Sequence, residues 1–313
     1  MRFDFVASVK QRYPDSAVIQ DTEMNALGQG WFSELSSLWP GQSMSLEVQE
    51  VLCQEQSKYQ SILVFKSKTF GNVLVLDGAI QCTERDEFAY HESLTHIPLF
   101  SHPDPKKVLV VGGGDGGMVR EVLKHKCVES VHLCEIDEQV VVVSKRYLPH
   151  LTSGLSDPRL QIHFQDGMEY IDAHHNEFDV IITDAPDPVG PAVCLFQKDY
   201  FARVKLALKP GGLMCLQAEC QWLHLDFIKK TLGSIRDLFP VVKYGFASVP
   251  SYPSGQLGFI VASTSQGTVL DEPLRKVTEL ESKEMKLRYY TPEVHRSAFS
   301  LPCFAKEVLD EKL

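Results

Sequence analysis

The stretch Val108-Leu-Val-Val-Gly-Gly-Gly-Asp-Gly-Gly-Met-Val-Arg120 narrows the possible folds more than any other part of the chain. Its first residues, 108–111, are apolar and mostly β-branched, which predicts a buried parallel strand. Glycines 112, 113, 114, 116 and 117 predict a tight turn whose backbone lies close to a ligand. Met118, Val119, Val122 and Leu123 then repeat at helical spacing. A strand, a Gly-rich turn and a helix form the nucleotide-binding opening of an α/β sheet. Asp115 departs from the usual chemistry of that turn. A loop that seats pyrophosphate at a helix N-terminus is badly served by a carboxylate. A loop that seats a cationic ligand is well served by one.

From Lys106 onward strand and helix patterns alternate, the signature of a parallel sheet. Strands are expected at 108–111, 130–134, 160–164, 180–183 and 213–216, with helices at 118–126, 138–148, 168–173, 198–208 and 223–238. Two late strands, 241–248 and 257–263, predict an antiparallel excursion at the sheet edge. Upstream, 43–53, 60–66, 73–76 and 79–82 read as strands, and Asp77-Gly78 is a hairpin signal. A helix over 86–100, with Phe88, Leu94, Ile97 and Tyr90 on spaced faces, leads into the His102-Pro-Asp-Pro105 break. The expected class is α/β: a small N-terminal antiparallel β-domain, then a Rossmann-like, methyltransferase-type, mostly parallel sheet flanked by helices. The expected division is an N-terminal extension (1–28), a β-rich domain with linking helix (29–102) and a catalytic domain (103–313).

The net charge of −10 argues against non-specific nucleic-acid binding and suits a cationic substrate. No stretch approaches the ~20 apolar residues of a membrane span. No secretory signal is expected after Met1-Arg-Phe-Asp-Phe5. The eight cysteines form no CxxC pair and no zinc-ligand spacing, which fits buried thiols in a reducing, cytoplasmic compartment and no metal.

Ligands of an open α/β sheet bind beyond the carboxyl ends of its strands. Acids follow all five expected parallel strands: Asp115, Glu135 with Asp137, Asp166, Asp184 with Asp187, and Glu219. Glu135 lies about twenty residues past the glycines, where a carboxylate accepts hydrogen bonds from ribose hydroxyls. Asp166-Gly167 suits an adenine amino group or a plain turn. Asp184 and Asp187, stiffened by Pro186 and Pro188, suit a preorganised general base. Tyr90, Tyr252 and Trp222 offer aromatic faces to amines. His91 and His224 lack metal spacing and read as packing or hydrogen-bonding residues, and His174-His175 as a solvated loop.

Nine segments together resemble the polyamine aminopropyltransferases over nearly the whole chain from Gly30. They are Gly30-Trp-Phe, Trp39-Pro-Gly-Gln, Leu76-Asp-Gly, Gln81-Cys-Thr-Glu-Arg-Asp-Glu-Phe-Ala-Tyr90, Gly112-Gly-Gly-Asp-Gly-Gly117, Cys134-Glu-Ile-Asp137, Asp184-x-x-Asp-Pro188, Glu219-Cys-Gln-Trp-Leu-His224 and Tyr252-Pro-Ser-Gly255. The resemblance implies transfer of an aminopropyl group from decarboxylated S-adenosylmethionine to putrescine, giving spermidine and 5'-methylthioadenosine. It implies Gln60, His91, Asp115, Glu135, Asp166 and Gly167 as donor ligands, with Asp115 on the aminopropyl ammonium. It implies Tyr90, Asp184, Asp187 and Tyr252 on the putrescine side, with Asp184 as general base and Tyr90 and Asp187 beside it. It also implies a homodimer, with no metal or prosthetic group.

Two departures stand out. Ala185-Pro186 replaces the serines common between the two acids, and His91 stands where relatives often carry Gln. Both are expected to modulate affinity rather than abolish turnover. The rival readings are a putrescine N-methyltransferase using intact S-adenosylmethionine, a nicotinamide oxidoreductase, an inactive paralogue and transfer to a longer acceptor. Asp115 opposes the first, because the intact cofactor carries a carboxylate near it and like charges repel.

Overall fold

The structure, a computed structural model, describes residues 30–188 and 190–310. The expected N-terminal extension, residues 1–28, lies outside the described residues. Strands β1 (Trp31–Glu34), β2 (Met44–Gln56), β3 (Ser61–Ser67), β4 (Gly71–Leu76) and β5 (Ala79–Thr83) pair in sequence order as an antiparallel sheet. Asp77 and Gly78 close the β4–β5 hairpin with φ of 48° and 82°, the left-handed backbone that this two-residue turn demands. Alternation gives the sheet two apolar faces. Phe32, Leu46, Phe65 and Val75 form one cluster, while Ile62, Val64, Leu74 and Cys82 pack against Val140, Val143, Leu148 and Leu151 of the following sheet domain.

Helix α1 (Glu87–Ser101) leads into β6 (Lys107–Gly112), α2 (Gly117–Leu123), β7 (Ser130–Glu135), α3 (Glu138–Tyr147), β8 (Leu160–Phe164), α4 (Gly167–Asp172) and β9 (Phe178–Asp184). Then come α5 (Lys198–Ala207), β10 (Leu208–Gln217), α6 (Leu225–Arg236), β11 (Val241–Ser248) and β12 (Gln256–Ser263). Three short helices close the described chain: α7 (Glu279–Glu284), α8 (Pro292–Ser297) and α9 (Cys303–Leu309). The strand order is β11-β12-β10-β9-β6-β7-β8, parallel throughout except for β12, which runs against both neighbours. The expected fold class and the antiparallel edge are therefore both present.

β6 is buried on both faces. Val108 and Val110 join the layer under α1 and α2, and Leu109 and Val111 join the layer under α5 and α6. Two strands go outward through β7 to β8, and the chain then returns to β9 on the other side of β6. Order reverses at that point, which opens a crevice at the carboxyl ends of β6 and β9.

Four sequence expectations differ from the structure. β1 was not expected, being too short for its alternation to register. β10 begins at Leu208 rather than 213, because Pro210, Gly211 and Gly212 sit in a register shift instead of a plain turn. α1 does not have one buried face: every residue but Phe88 is buried, including Glu87, His91, Glu92 and His96. These polar side chains find partners inside the protein. Likewise His174 is half-buried, its ring 4.3 Å from that of Tyr170, and only His175 is solvated.

Candidate active site

The crevice at the β6–β9 switch is a cavity of about 310 Å³ lined by residues from both sheets. Its floor is glycine for steric reasons. Gly112 pairs in register with Asp184, has φ of 78°, and a Cβ there would collide with the Asp184 carbonyl. A Cβ on Gly113 would come within 2.9 Å of Asp184 Oδ2, and one on Gly114 within 2.9 Å of Glu135 Oε2. The turn therefore lets two carboxylates, Asp184 and Glu135, approach one backbone.

Asp115 itself closes the turn. Its Oδ1 accepts from Gly117 N at 2.7 Å, so the acid takes an amide that a bound phosphate would otherwise meet. Burial would raise the Asp115 pKa, but His91, with Nε2 3.3 Å from Oδ2, holds it below the usual range. Glu135 is aimed by two backbone amides, Gly114 N to Oε2 at 3.0 Å and Asp137 N to Oε1 at 2.9 Å. Burial nonetheless pushes its carboxyl up to about 7. Asp166 caps α4 by accepting from Met168 N at 2.8 Å and Glu169 N at 3.2 Å. It lines the cavity with Gly167, where a Cβ would strike Val111 at 2.6 Å. Gln60 reaches the cavity from the N-terminal sheet and donates to Asp137 Oδ2 at 2.9 Å, beside Ser57 Oγ at 2.6 Å. That shared carboxylate ties the two sheets together at this end of the cavity.

At the opposite end Tyr90 donates to Asp184 Oδ1, and its ring stands edge-on to Tyr252 with centroids 5.8 Å apart. Tyr252 donates to the Gln81 carbonyl at 2.6 Å. Burial and the neighbouring Asp115 raise Asp184 to about 6, against the lowering effects of His91 and Tyr90. Asp187 is pushed up to about 7 by burial and by Glu219, against His224. Ala185 is buried between the two acids and Pro186 is exposed, both on the cavity wall.

The cavity thus collects Gln60, Tyr90, Asp115, Glu135, Asp166, Gly167, Asp184, Asp187 and Tyr252. His91 is not on the cavity wall but lies just behind Asp115, with a ring nitrogen close to the Asp115 and Asp184 carboxylates that are on it. Trp222 is also outside, exposed and packed on Phe304 with centroids 4.6 Å apart.

Beyond Asp187 gather Glu219, which sequence reasoning named as a strand-end acid, Trp39, and Glu34, which it did not single out. Glu34, from β1, accepts from Ile80 N at 3.1 Å and is raised to about 8 by burial, with Asp187 adding to the rise. Glu219 has φ of 61°, a left-handed backbone costly for a side chain that is not glycine. Its carbonyl accepts from Gly258 N at 2.9 Å and Tyr244 Oη at 3.0 Å, and its Oε2 lies 2.9 Å from His224 Nδ1. Trp39 lines the same end, its ring 5.9 Å from that of His224. The position of Glu219 just after a strand was a signal, whereas Glu34 offered none. The whole arrangement is one cavity lined by a series of buried or half-buried carboxylates, a lining suited to cationic groups.

Comparison with known proteins agrees with this geometry. Residues 87–272 match the family model described as the spermine/spermidine synthase domain, and residues 30–84 match the spermidine synthase tetramerisation domain. The chain is 54% identical over 288 residues to the spermidine synthase of Dictyostelium discoideum, covering 92% of this chain and 100% of that one. It is 50% identical over 293 residues to that of Schizosaccharomyces pombe, covering 94% and 98%. A crystal structure of a spermidine synthase with the transition state analogue AdoDATO superposes with a TM-score of 0.83 at 35% identity, covering 90% of this chain and 96% of that chain. That of Thermotoga maritima superposes with a TM-score of 0.81 at 36% identity, covering 90% and 94%. With half its sequence shared along nearly its full length and an acid-lined crevice where such a sheet holds its ligand, this chain belongs to the spermine/spermidine synthase family and is an aminopropyltransferase.

Proposed function

We propose that the enzyme transfers the aminopropyl group of decarboxylated S-adenosylmethionine to putrescine, releasing spermidine and 5'-methylthioadenosine. The observation that carries this is the gathering of seven carboxylates in one cavity: Glu135, Asp166, Asp115, Asp184, Asp187, Glu219 and Glu34. Glu135 receives the ribose hydroxyls, Asp166 the adenine edge, and Asp115 the donor's ammonium. The sulfonium lies between Asp115 and Asp184, and the acceptor's far ammonium lies in the chamber of Asp187, Glu219 and Glu34 beside Trp39.

The donor carbon next to the sulfonium is already activated, so the protein's task is positioning and one proton transfer. The putrescine nitrogen attacks that carbon, the carbon–sulfur bond breaks with its electrons on sulfur, and the amine proton passes to Asp184. A carboxylate poised near 6 is ionised at neutral pH yet able to take that proton in a water-poor site. Tyr90 orients Asp184 through its hydroxyl, and Tyr90 and Tyr252 offer ring edges and faces along the methylene chain. Asp115 selects the decarboxylated donor, since a carboxylate on the donor would face it in a buried site.

The reading extends to a cytoplasmic, self-associating enzyme. Free thiols at Cys53, Cys82, Cys127, Cys134, Cys215, Cys220 and Cys303 fit a reducing compartment. The N-terminal region matches a family model named for tetramerisation, and sedimentation distinguishes a dimer from a tetramer.

A paired turnover assay read by mass spectrometry tests the reaction. Putrescine is supplied with the decarboxylated donor in one tube and with intact S-adenosylmethionine in the other. Spermidine and methylthioadenosine in the first tube alone are expected. N-methylputrescine in the second would overturn both the reaction and the role of Asp115. Turnover of spermidine in place of putrescine would move the acceptor to the longer amine.

A further inference from the structure

His91 is fully buried, yet the transfer derived above makes no direct use of it. Its Nδ1 lies 2.7 Å from Glu87 Oε2 and its Nε2 lies 3.3 Å from Asp115 Oδ2. Glu87 is gripped by Arg120 through two hydrogen bonds of 2.9 and 2.8 Å, and Arg120 Nε donates to Glu121 Oε1 at 2.8 Å. Glu121 in turn meets Lys124 Nζ at 2.6 Å and His96 Nε2 at 2.9 Å. Asp115, Glu87 and Glu121 thus face two permanent cations, Arg120 and Lys124, and an imidazolium at His91 balances the row. Burial alone would push His91 down, but Asp115 and Glu87 on its two nitrogens raise it to about 10. The other ionisable groups around this point are the Cys82 thiol, Tyr90, Asp184 at the end of β9, and His150, 3.6 Å from Glu87 Oε1.

The Nε2 contact is poorly aligned, and this buried nitrogen has no well-formed hydrogen bond among the described residues. It shares a small space with Asp115 and Asp184: one ligand atom from each residue lies within 4.8 Å of the others. An ammonium has three N–H donors, so three acceptors around one point suit it. His91 can be the third acceptor only without its Nε2 proton, because a protonated nitrogen repels the ammonium and offers no lone pair. The ring cannot swing away either, since it rests directly on Gly117, where a Cβ would overlap it. Glu87 keeps the Nδ1 proton in place, so the proton that can leave is the one on Nε2.

We propose that the donor's ammonium binds by cation exchange: the His91 Nε2 proton leaves to solvent as the ammonium takes its place against Asp115, and Glu87, clamped by Arg120, is the positioning residue that fixes the ring for the exchange. The proposal rests on the donor assignment above. Its balance is simple: an imidazolium and a free alkylammonium become a neutral imidazole, a bound alkylammonium and one proton in the buffer. Donor affinity then rises by up to about tenfold per pH unit while His91 is protonated and the donor amine is still charged.

The test is calorimetric titration at pH 8 in buffers of differing ionisation enthalpy. At that pH Asp184, Asp187 and Glu135 are mostly ionised and His91 is not yet neutral. Decarboxylated S-adenosylmethionine is expected to release about one proton per site, and methylthioadenosine, which lacks the ammonium, to release close to none. His91→Gln is expected to bind the donor without release. Glu87→Gln is expected to release less than half a proton and to flatten the pH dependence of donor affinity, a readout that a merely structural role would leave alone. Donor binding with no release in the unaltered enzyme, equal release with methylthioadenosine, or undiminished release in His91→Gln would each overturn the exchange while leaving the transfer reaction standing. Failure of the donor to bind at all would overturn both.

Discussion

Asp184 shows how a site carboxylate acquires its chemistry from neighbours rather than from its own identity. Burial and Asp115 raise it, Tyr90 and His91 restrain the rise, and it settles near 6. With Asp184 as the proposed base, its protonation below that value blocks uptake of the amine proton, so kcat/KM for putrescine at saturating donor is expected to fall with decreasing pH through about 6. Asp184→Asn keeps the Tyr90 contact and the shape but removes the base. It is expected to lower kcat by a factor on the order of 10²–10⁴ and to erase that acid limb. Steady-state kinetics from pH 5 to 9 decide it: an unchanged acid limb in the variant would assign the base elsewhere. Asp115, Glu135, Asp184 and Asp187 were legible in the sequence because each follows a strand, and strand ends converge in this class of sheet. Glu34 was not legible, because it reaches the cavity from a four-residue strand 150 residues distant in sequence from Asp184, through pairing that no local pattern encodes.

Helix α1 is the element on which the two sheets and the C-terminal segment converge. Its Glu92, almost wholly buried, accepts from the backbone amides of Arg288, Tyr289 and Tyr290, each at 2.8 Å. Asp86, immediately before it, accepts from Thr83 Oγ1 at 2.6 Å, Ser251 N at 2.7 Å and Ser251 Oγ at 3.0 Å, which sets the loop carrying Tyr252. Replacing Glu92 by Ala would leave three amides without their acceptor in a dry site. Each such loss costs about 1–3 kcal/mol, and partial relaxation brings the expected total to roughly 3 kcal/mol. A shift of the urea midpoint reads this directly, and a loss below about 1 kcal/mol would mean that water replaces the carboxylate. Strands were readable from alternation and apolar runs, and helices from their spacing. α1 was readable as a helix but not as a buried one: its acids and histidines mimic a solvated face until their partners on α2 and the C-terminal segment are brought to it.

The acid-rich interior makes the stability of the molecule depend on pH in a definite direction. Glu34, Glu135 and Asp187 are raised to about 8, 7 and 7, and His91 to about 10, so the native state holds more protons than the unfolded chain from neutral pH upward. Stability therefore falls as pH rises from 7 to 9, by on the order of 5 kcal/mol in the ligand-free protein. On the acid side His132, lowered to about 4 chiefly by burial, and Glu121, lowered to about 2 by His96 and its cationic neighbours against burial, lose their favourable states. Denaturation midpoints are expected to rise as pH falls from 9 to about 5, where the raised carboxyls begin to be protonated in the unfolded chain as well, and a midpoint still rising at pH 9 would contradict the sign worked out here.

The local pattern of the chain was sufficient to determine a Gly-rich opening onto a parallel sheet, an upstream antiparallel sheet, and a row of strand-end acids suited to cations. Short-range sterics and hydrophobic periodicity are local properties, and they suffice for that much. Which acids face one another, and which carry charge, depended on long-range packing. The Asp115–His91–Glu87–Arg120 row joins residues from a turn and two helices, and its protonation follows from burial and mutual distance. Electrostatic free energy is set by separation and solvent access in three dimensions, and neither is a function of position along the chain.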